Sequence, residues 1–220
     1  MPRNTESSRT RPERRRAQTR AALVRAAQRL LAAGRPNVSV LEITNLADVG
    51  MGSFYNHFQS KEELYAAAVD ESLEAHGNLL DALTADLDDP AERFARSFRL
   101  TGRLNRRYPE LTQVLRNHGL LMIVADRGLA PRALRDITAA AQAGRFHLRD
   151  PELALVTAGG ALLGLSQLLH SQPERDDAEA TDLMIESLLR MFGVPAEDAH
   201  EICTRPLPDL DTVTEKDPAA

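Results

Sequence analysis

Residues 38–64, VSVLEITNLADVGMGSFYNHFQSKEEL, hold two short helical patterns on either side of a turn, followed at once by the start of a third helix. Val40, Ile43, Leu46 and Ala47 recur at helical spacing and the Asp48-Val49-Gly50 step breaks the period. A second short helix then carries Met51, Ser53, Tyr55 and Asn56. A helix of about two turns is too short to be stable alone. Its packing partners must therefore hold it out for another molecule, and helix-turn-helix proteins place a helix into DNA in this way.

Charge supports a polyanion partner at this end of the chain. The net charge of −5 hides an asymmetry: residues 1–62 carry eleven bases and five acids, a balance of +6, whereas the rest carries sixteen bases and twenty-seven acids, a balance of −11. One end is built for a polyanion and the other would repel it. A hydrophobic fraction of 43% over 220 residues suffices for a buried core in one large or two small domains. Cys203 is the only cysteine, which excludes an internal disulfide framework and a cysteine-cluster zinc site and fits the cytoplasm. No secretory signal is expected, because residues 1–20 are arginine-rich without an apolar segment.

The pattern predicts an all-α chain. Residues 1–17 combine charge, Ser, Thr and Pro and are expected to form a disordered basic arm. Residues 18–62 form a three-helix head, residues 63–204 a helical body, and 205–220 a flexible tail. Helix one runs from Gln18 to Ala33, and a long helix starts after Ser60, the N-cap, and runs toward Asp86. Further helices are expected over 90–107, 109–126, 130–144, 151–171, 176–192 and 196–203. Leu153–Gln172 has no charged residue over twenty positions. Thr157, Ser166, Gln167, His170 and three glycines make it a buried helix rather than a membrane span, so no membrane partner is expected.

The run Ala47, Asp48-Val49-Gly50, Gly52, Ser53, Phe54, Tyr55, His57, Phe58, Ser60, Lys61 and Glu62 resembles the DNA-binding head of the TetR family of bacterial transcriptional regulators. The similarity covers about residues 18–66. Two positions depart from the family pattern: Asp48 stands where Gly is usual, and Gly50 stands where Ser is usual. Asp tolerates a left-handed backbone better than most residues, so the turn is expected to survive. Gly can cap a helix but lacks a hydroxyl for the DNA. The resemblance further implies a ligand cavity among the helices between about 64 and 172, whose occupancy would move the helix from 61 to 86 and change the spacing of paired heads.

Residue chemistry assigns roles in the head. The N-terminus at Gly50, Met51 and Gly52 presents unpaired amides to phosphate, and Ser53, Asn56 and Met51 suit base edges and the thymine methyl. Ser39, Tyr55, His57 and Lys61 are candidates for phosphate contact, with Arg14, Arg15, Arg16 and Arg20 as a basic arm beside them. Phe54 and Phe58 are expected in the core. One short helix reads few base pairs, so a homodimer on a palindromic operator is expected. Its interface is assigned to Thr157, Gly160, Leu163, Gly164, Gln167, Leu188, Leu189 and Phe192. Phe94, Phe98, Thr101, Leu115, Asn117, His118 and Met122 are the candidate lining of a pocket for an unknown small-molecule effector. No cofactor or metal is expected, and HExxH, GxSxG and phosphate-cradling glycine loops are absent from the sequence. The reading is a ligand-released repressor; the alternatives are a helical DNA-binding dimer without an effector and, last, a helical enzyme.

Overall fold

The computed structural model describes residues 10–103, 123 and 125–208, and among them nine α-helices and no strand. These are α1 (Arg11–Ala32), α2 (Val40–Leu46), α3 (Met51–Tyr55), α4 (Lys61–Leu83), α5 (Pro90–Gly102), α6 (Leu129–Gln142), α7 (Pro151–Ser171), α8 (Asp177–Met191) and α9 (Ala196–Thr204). The helix expected over 109–126 falls almost wholly outside the described residues. The chain divides into two compact units, Met1–Ser72 and Leu73–Ala220. The division lies inside α4 rather than at its start, so one helix supplies residues to both units.

The first unit corrects one expectation at once. The basic arm expected to be disordered through residue 17 is helical from Arg11. Pro12 sits in the first turn, where its missing N–H costs nothing, and the Thr10 N–H donates to the Glu13 carboxylate at 2.7 Å. Further along, α1 buries Leu23, Val24, Ala27 and Leu30, and Ile43, Phe54, Phe58 and Leu64 of the same unit are buried with them. Gly34, at φ +66°, lets the chain reverse after α1, with the Arg35 N–H donating to the Leu30 carbonyl at 2.8 Å. Gln28 donates to the Ala68 carbonyl and the Ser72 hydroxyl, fixing α1 on the first half of α4.

In the second unit the core is aromatic. Phe94 meets Phe146 edge-on at 5.9 Å, and Phe146 lies 5.3 Å from Phe192. The His147 N–H donates to the Phe192 carbonyl at 2.7 Å, closing the two loops over this cluster. Phe94 and Phe98 are thus packed in the core, Phe94 against the Phe146 and Phe192 rings of other segments and Phe98 against Phe94. Leu188, Leu189 and Phe192 are buried in the same core, which removes them from the interface assigned to them. The apolar residues that α8 leaves exposed are Leu183 and Met191, each at 59%.

Ion pairs hold α5 to α8. Arg99 is buried and donates to both Asp182 oxygens, at 2.9 and 3.0 Å, and to the Arg205 carbonyl at 2.8 Å. Arg103 adds two further bonds to the same carboxylate. The helices approach closely because residue 102 is Gly: a Cβ there would lie 2.3 Å from Thr181. Burial pushes the Asp182 carboxyl up, but Arg99 and Arg103 outweigh it and hold its pKa below the ordinary value. This stabilisation is present above the unfolded carboxylate pKa and is lost as pH falls through the lowered one. Asp182→Asn leaves Arg99 buried without a counter-charge and is expected to cost about 3 kcal/mol. Thermal melts would show the lower Tm and a flatter decline of stability in acid.

Candidate nucleic-acid interface

The turn before the recognition helix is a Schellman closure with an aspartate in the left-handed position. Asp48 has φ +54°, its N–H donates to the Asn45 carbonyl at 3.2 Å, and the Val49 N–H donates to the Thr44 carbonyl at 3.0 Å. Helix α3 follows with Gly50 as its N-cap and no side-chain cap. Phe54 is fully buried and Phe58 nearly so, while Met51, Gly52, Tyr55 and Asn56 are exposed. Phe54 therefore anchors a five-residue helix whose other faces stay open.

Ser39 caps α2, accepting from the Glu42 N–H at 3.2 Å. Lys61 is placed differently from expectation: its ammonium donates to the Val38 carbonyl at 3.0 Å. That bond ties the start of α4 to the strand of chain entering α2, so Lys61 positions the motif in this structure. Ser60, the N-cap read in the sequence, accepts from the Glu63 N–H, and the Glu63 carboxylate reaches back to accept from the Gln59 N–H.

The opening of α1 and the recognition helix bound one open groove of about 510 Å³, lined by Pro12, Arg15, Arg16, Thr19, Ser53, Asn56 and His57. Positions 12, 15, 16 and 19 share a helix face, a stripe that was readable once α1 was known to start at Arg11. The expected Arg15, Arg16, Ser53, Asn56 and His57 come together here, and Pro12 and Thr19 join them. Arg20 does not: it pairs with Glu71 at 2.5 Å and lies 5.4 Å over the Phe58 ring, holding α1 to α4. Arg14 lies on the same helical segment without lining the groove. Partial burial, with Arg16 and Arg20 nearby, holds the His57 imidazole below its ordinary pKa. The arrangement presents two guanidiniums, a hydroxyl, an amide and an imidazole on one surface, which suits a phosphodiester strand beside base edges.

Residues 23–68 match the family of bacterial regulatory proteins, tetR family, and residues 89–205 match the tetracyclin repressor-like C-terminal domain. The chain belongs to the TetR family. Among solved structures it is similar to RolR in complex with resorcinol, at 34% identity over 89% of this chain and 98% of that one, with a TM-score of 0.69. RolR without ligand gives 33% identity over 86% and 99%, with a TM-score of 0.67. SmeT, repressor of the Stenotrophomonas maltophilia multidrug efflux pump SmeDEF, shares the fold at 19% identity over 87% of this chain and 100% of that one, with a TM-score of 0.63. No curated protein matches the chain.

In the body of this TetR-family regulator, Thr101 donates to the Ser97 carbonyl and its hydroxyl lies 3.2 Å from His76 Nε2. Leu115, Asn117, His118 and Met122 lie outside the described residues. Thr157, Gly160, Gly164 and Gln167 are exposed on α7 and Leu163 is half-buried. Among the described residues no group of three His, Cys, Asp or Glu could hold a metal.

Two substitutions test the turn. A Cβ at Gly50 would meet nothing within 4 Å and its backbone is ordinary, so Gly50→Ser is expected to raise stability by about 0.3 kcal/mol. Asp48→Val puts a β-branched residue at positive φ and is expected to cost about 1–3 kcal/mol. Thermal denaturation of both variants measures the pair of opposite signs.

Proposed function

We propose that this chain is a ligand-released transcriptional repressor that binds a palindromic operator as a homodimer in the bacterial cytoplasm. The groove joining Arg15 and Arg16 to Ser53, Asn56 and His57 carries the reading, because it sets cationic donors beside the exposed face of the recognition helix. Arg16 and Arg15 supply phosphate contacts, while Ser53, Asn56 and Met51 read bases. Dimerisation is supported by an apolar face left open on the body. Leu153 at 64% and Val156 at 45% on α7 join Leu183 and Met191 on α8, and a Cβ at Gly160 or Gly164 would meet nothing within 4 Å. Small residues of this kind let a helix of a second copy approach closely.

For the effector, the relative at 34% identity was solved with resorcinol, and a small hydroxylated aromatic is the ligand class we infer. The body offers a polar handle for it. Asp136 is 2% exposed and both its oxygens accept from Arg135, leaving lone pairs for a ligand hydroxyl. The ligand must bind the arrangement that does not fit the operator better than the one that does, since equal affinity shifts nothing.

Selection of bound genomic fragments followed by fluorescence anisotropy tests this function. Arg16→Ala is expected to weaken binding to every duplex and lessen the salt slope by about one. Asn56→Ala should relax preference at one base pair by ~1–3 kcal/mol. Millimolar resorcinol should release the operator from the wild type, and Asp136→Asn should keep operator binding but lose that release. A monomer at micromolar concentration would sink the dimer, and an operator complex indifferent to hydroxylated aromatics would leave the regulator without this effector class.

A further inference from the structure

The groove beside the recognition helix contains one group whose charge can change near neutrality. His57 lines it together with Arg15 and Arg16 of α1 and Ser53 and Asn56 of the recognition segment. We propose that His57 takes up a proton when a DNA phosphate enters this groove, so that DNA binding by this chain is coupled to pH. The inference rests on the DNA-binding reading above and adds its regulation.

The geometry makes the imidazole part of the seat. The His57 backbone N–H donates to the Phe54 carbonyl at 2.9 Å, its ring lies 6.5 Å from Phe58, and the residue is half-buried, so the side chain sits at the edge of the head's core. The charges around it are largely of one sign. From α1 come Arg15, Arg16 and Arg20, the last already paired with Glu71 of α4. From the α2 side Glu42 is paired with Arg35, and Asp48 lies in the turn. At the opening of α4, Lys61 donates to Val38, the Glu63 carboxylate accepts from Gln59, and Glu62 is exposed. Among the described residues no acid lines the groove.

Without DNA, partial burial and then Arg16 and Arg20 disfavour the imidazolium and hold its pKa below the ordinary value. A phosphate within about 4–6 Å reverses the sign of the local field and favours the charged form. The imidazolium then offers a second N–H donor, next to guanidiniums that the same phosphates neutralise. The linkage has a definite direction. His57 is proton-free in the free protein above its lowered pKa and protonated in the complex below its raised one. Affinity therefore falls as pH rises between the two values, by up to about tenfold per pH unit for each head. His76 does not supply this dependence, because burial holds it down to about 4.

The test uses the full chain and a mixed-sequence duplex at low, fixed ionic strength, with dissociation constants measured by anisotropy from about pH 6 to about 8.5, a range in which histidine side chains and the α-amino group titrate, so that the comparison with His57→Gln isolates His57. Wild type is expected to weaken as pH rises through the lower part of the range and to level off above the midpoint of the complex, and His57→Gln to lose most of that dependence. In parallel, NMR of the His57 ring should give a titration midpoint about one unit higher with duplex than without. Equal slopes in the two proteins, or a midpoint unmoved by duplex, overturn the coupling while leaving DNA binding intact. Inorganic phosphate that moves the midpoint as far as duplex does would show an anion seat not built for DNA, and would overturn the proposal. Absence of duplex binding at every pH would instead fail the DNA-binding reading itself.

Discussion

The burial of Phe54 is the contact on which the head depends. A five-residue helix has no stability of its own, because its few internal hydrogen bonds do not offset the ordering of its backbone. Sealing one phenyl ring contributes about 2–3 kcal/mol, which is of the size needed to hold so short a segment. Phe54 is fully buried and its ring lies 6.1 Å from that of Phe58, over which Arg20 of α1 is placed. With that face fixed, Met51, Gly52, Tyr55 and Asn56 have nowhere to point but outward. The exposed chemistry of the recognition helix follows from the ring that is hidden.

A second constraint operates where α4 belongs to the body. Arg132 of α6 donates to Glu74, Asn78 and Asp81, three residues on one stripe of α4, and Glu74 also accepts from the Gly128 N–H at 2.8 Å. Gly77 is what allows it, since a Cβ there would come within 2.8 Å of the guanidinium. Glycine inside a helix costs about 1 kcal/mol against alanine, so its presence is explained by the close approach. The Arg132 guanidinium, with the Gly128 N–H, holds the Glu74 carboxyl down to about 2, so this clamp persists well into acid. Leu64 and Ala68, earlier on the same helix, are buried in the head. Any ligand that alters the Arg132 pairing therefore acts on a helix that also supplies the head's core.

The turn was legible in the sequence for a local reason: left-handed Asp48, the capping pattern at Ser60 and the two phenylalanines depend on neighbours within a few positions. The opening of α1 was not, because composition there is that of a disordered tail. Thr10, Pro12 and Glu13 carry a helix-start signal that apolar periodicity cannot register. The assignment of Leu188, Leu189 and Phe192 failed for the opposite reason. Helix α8 has apolar residues on two faces, and only packing decides which meets its own core. Lys61 illustrates a third limit, since a lysine at a helix start reads as free for solvent or phosphate until a distant carbonyl, here Val38, is seen within its reach.

The exposed face of α7 raises a physical choice between lipid and protein. The helix has a mean hydropathy of 1.5 over its most apolar window and only a third of that window is buried, so length and composition alone admit a membrane span. Its exposed positions argue otherwise. Thr157, Gly160, Gly164, Gln167 and His170 lie among Leu153 and Val156, and the Thr157 hydroxyl is turned back to the Leu153 carbonyl at 2.8 Å. Hydrocarbon gains nothing from glycine's missing side chain and leaves a glutamine amide without partners, at a cost of several kcal/mol. A facing helix gains on both counts, because the glycines admit close backbone approach and the amide finds a donor or acceptor across the contact. The polar and small residues on this face thus favour a second copy over lipid, and they do so more strongly than the leucines, which either environment would accept.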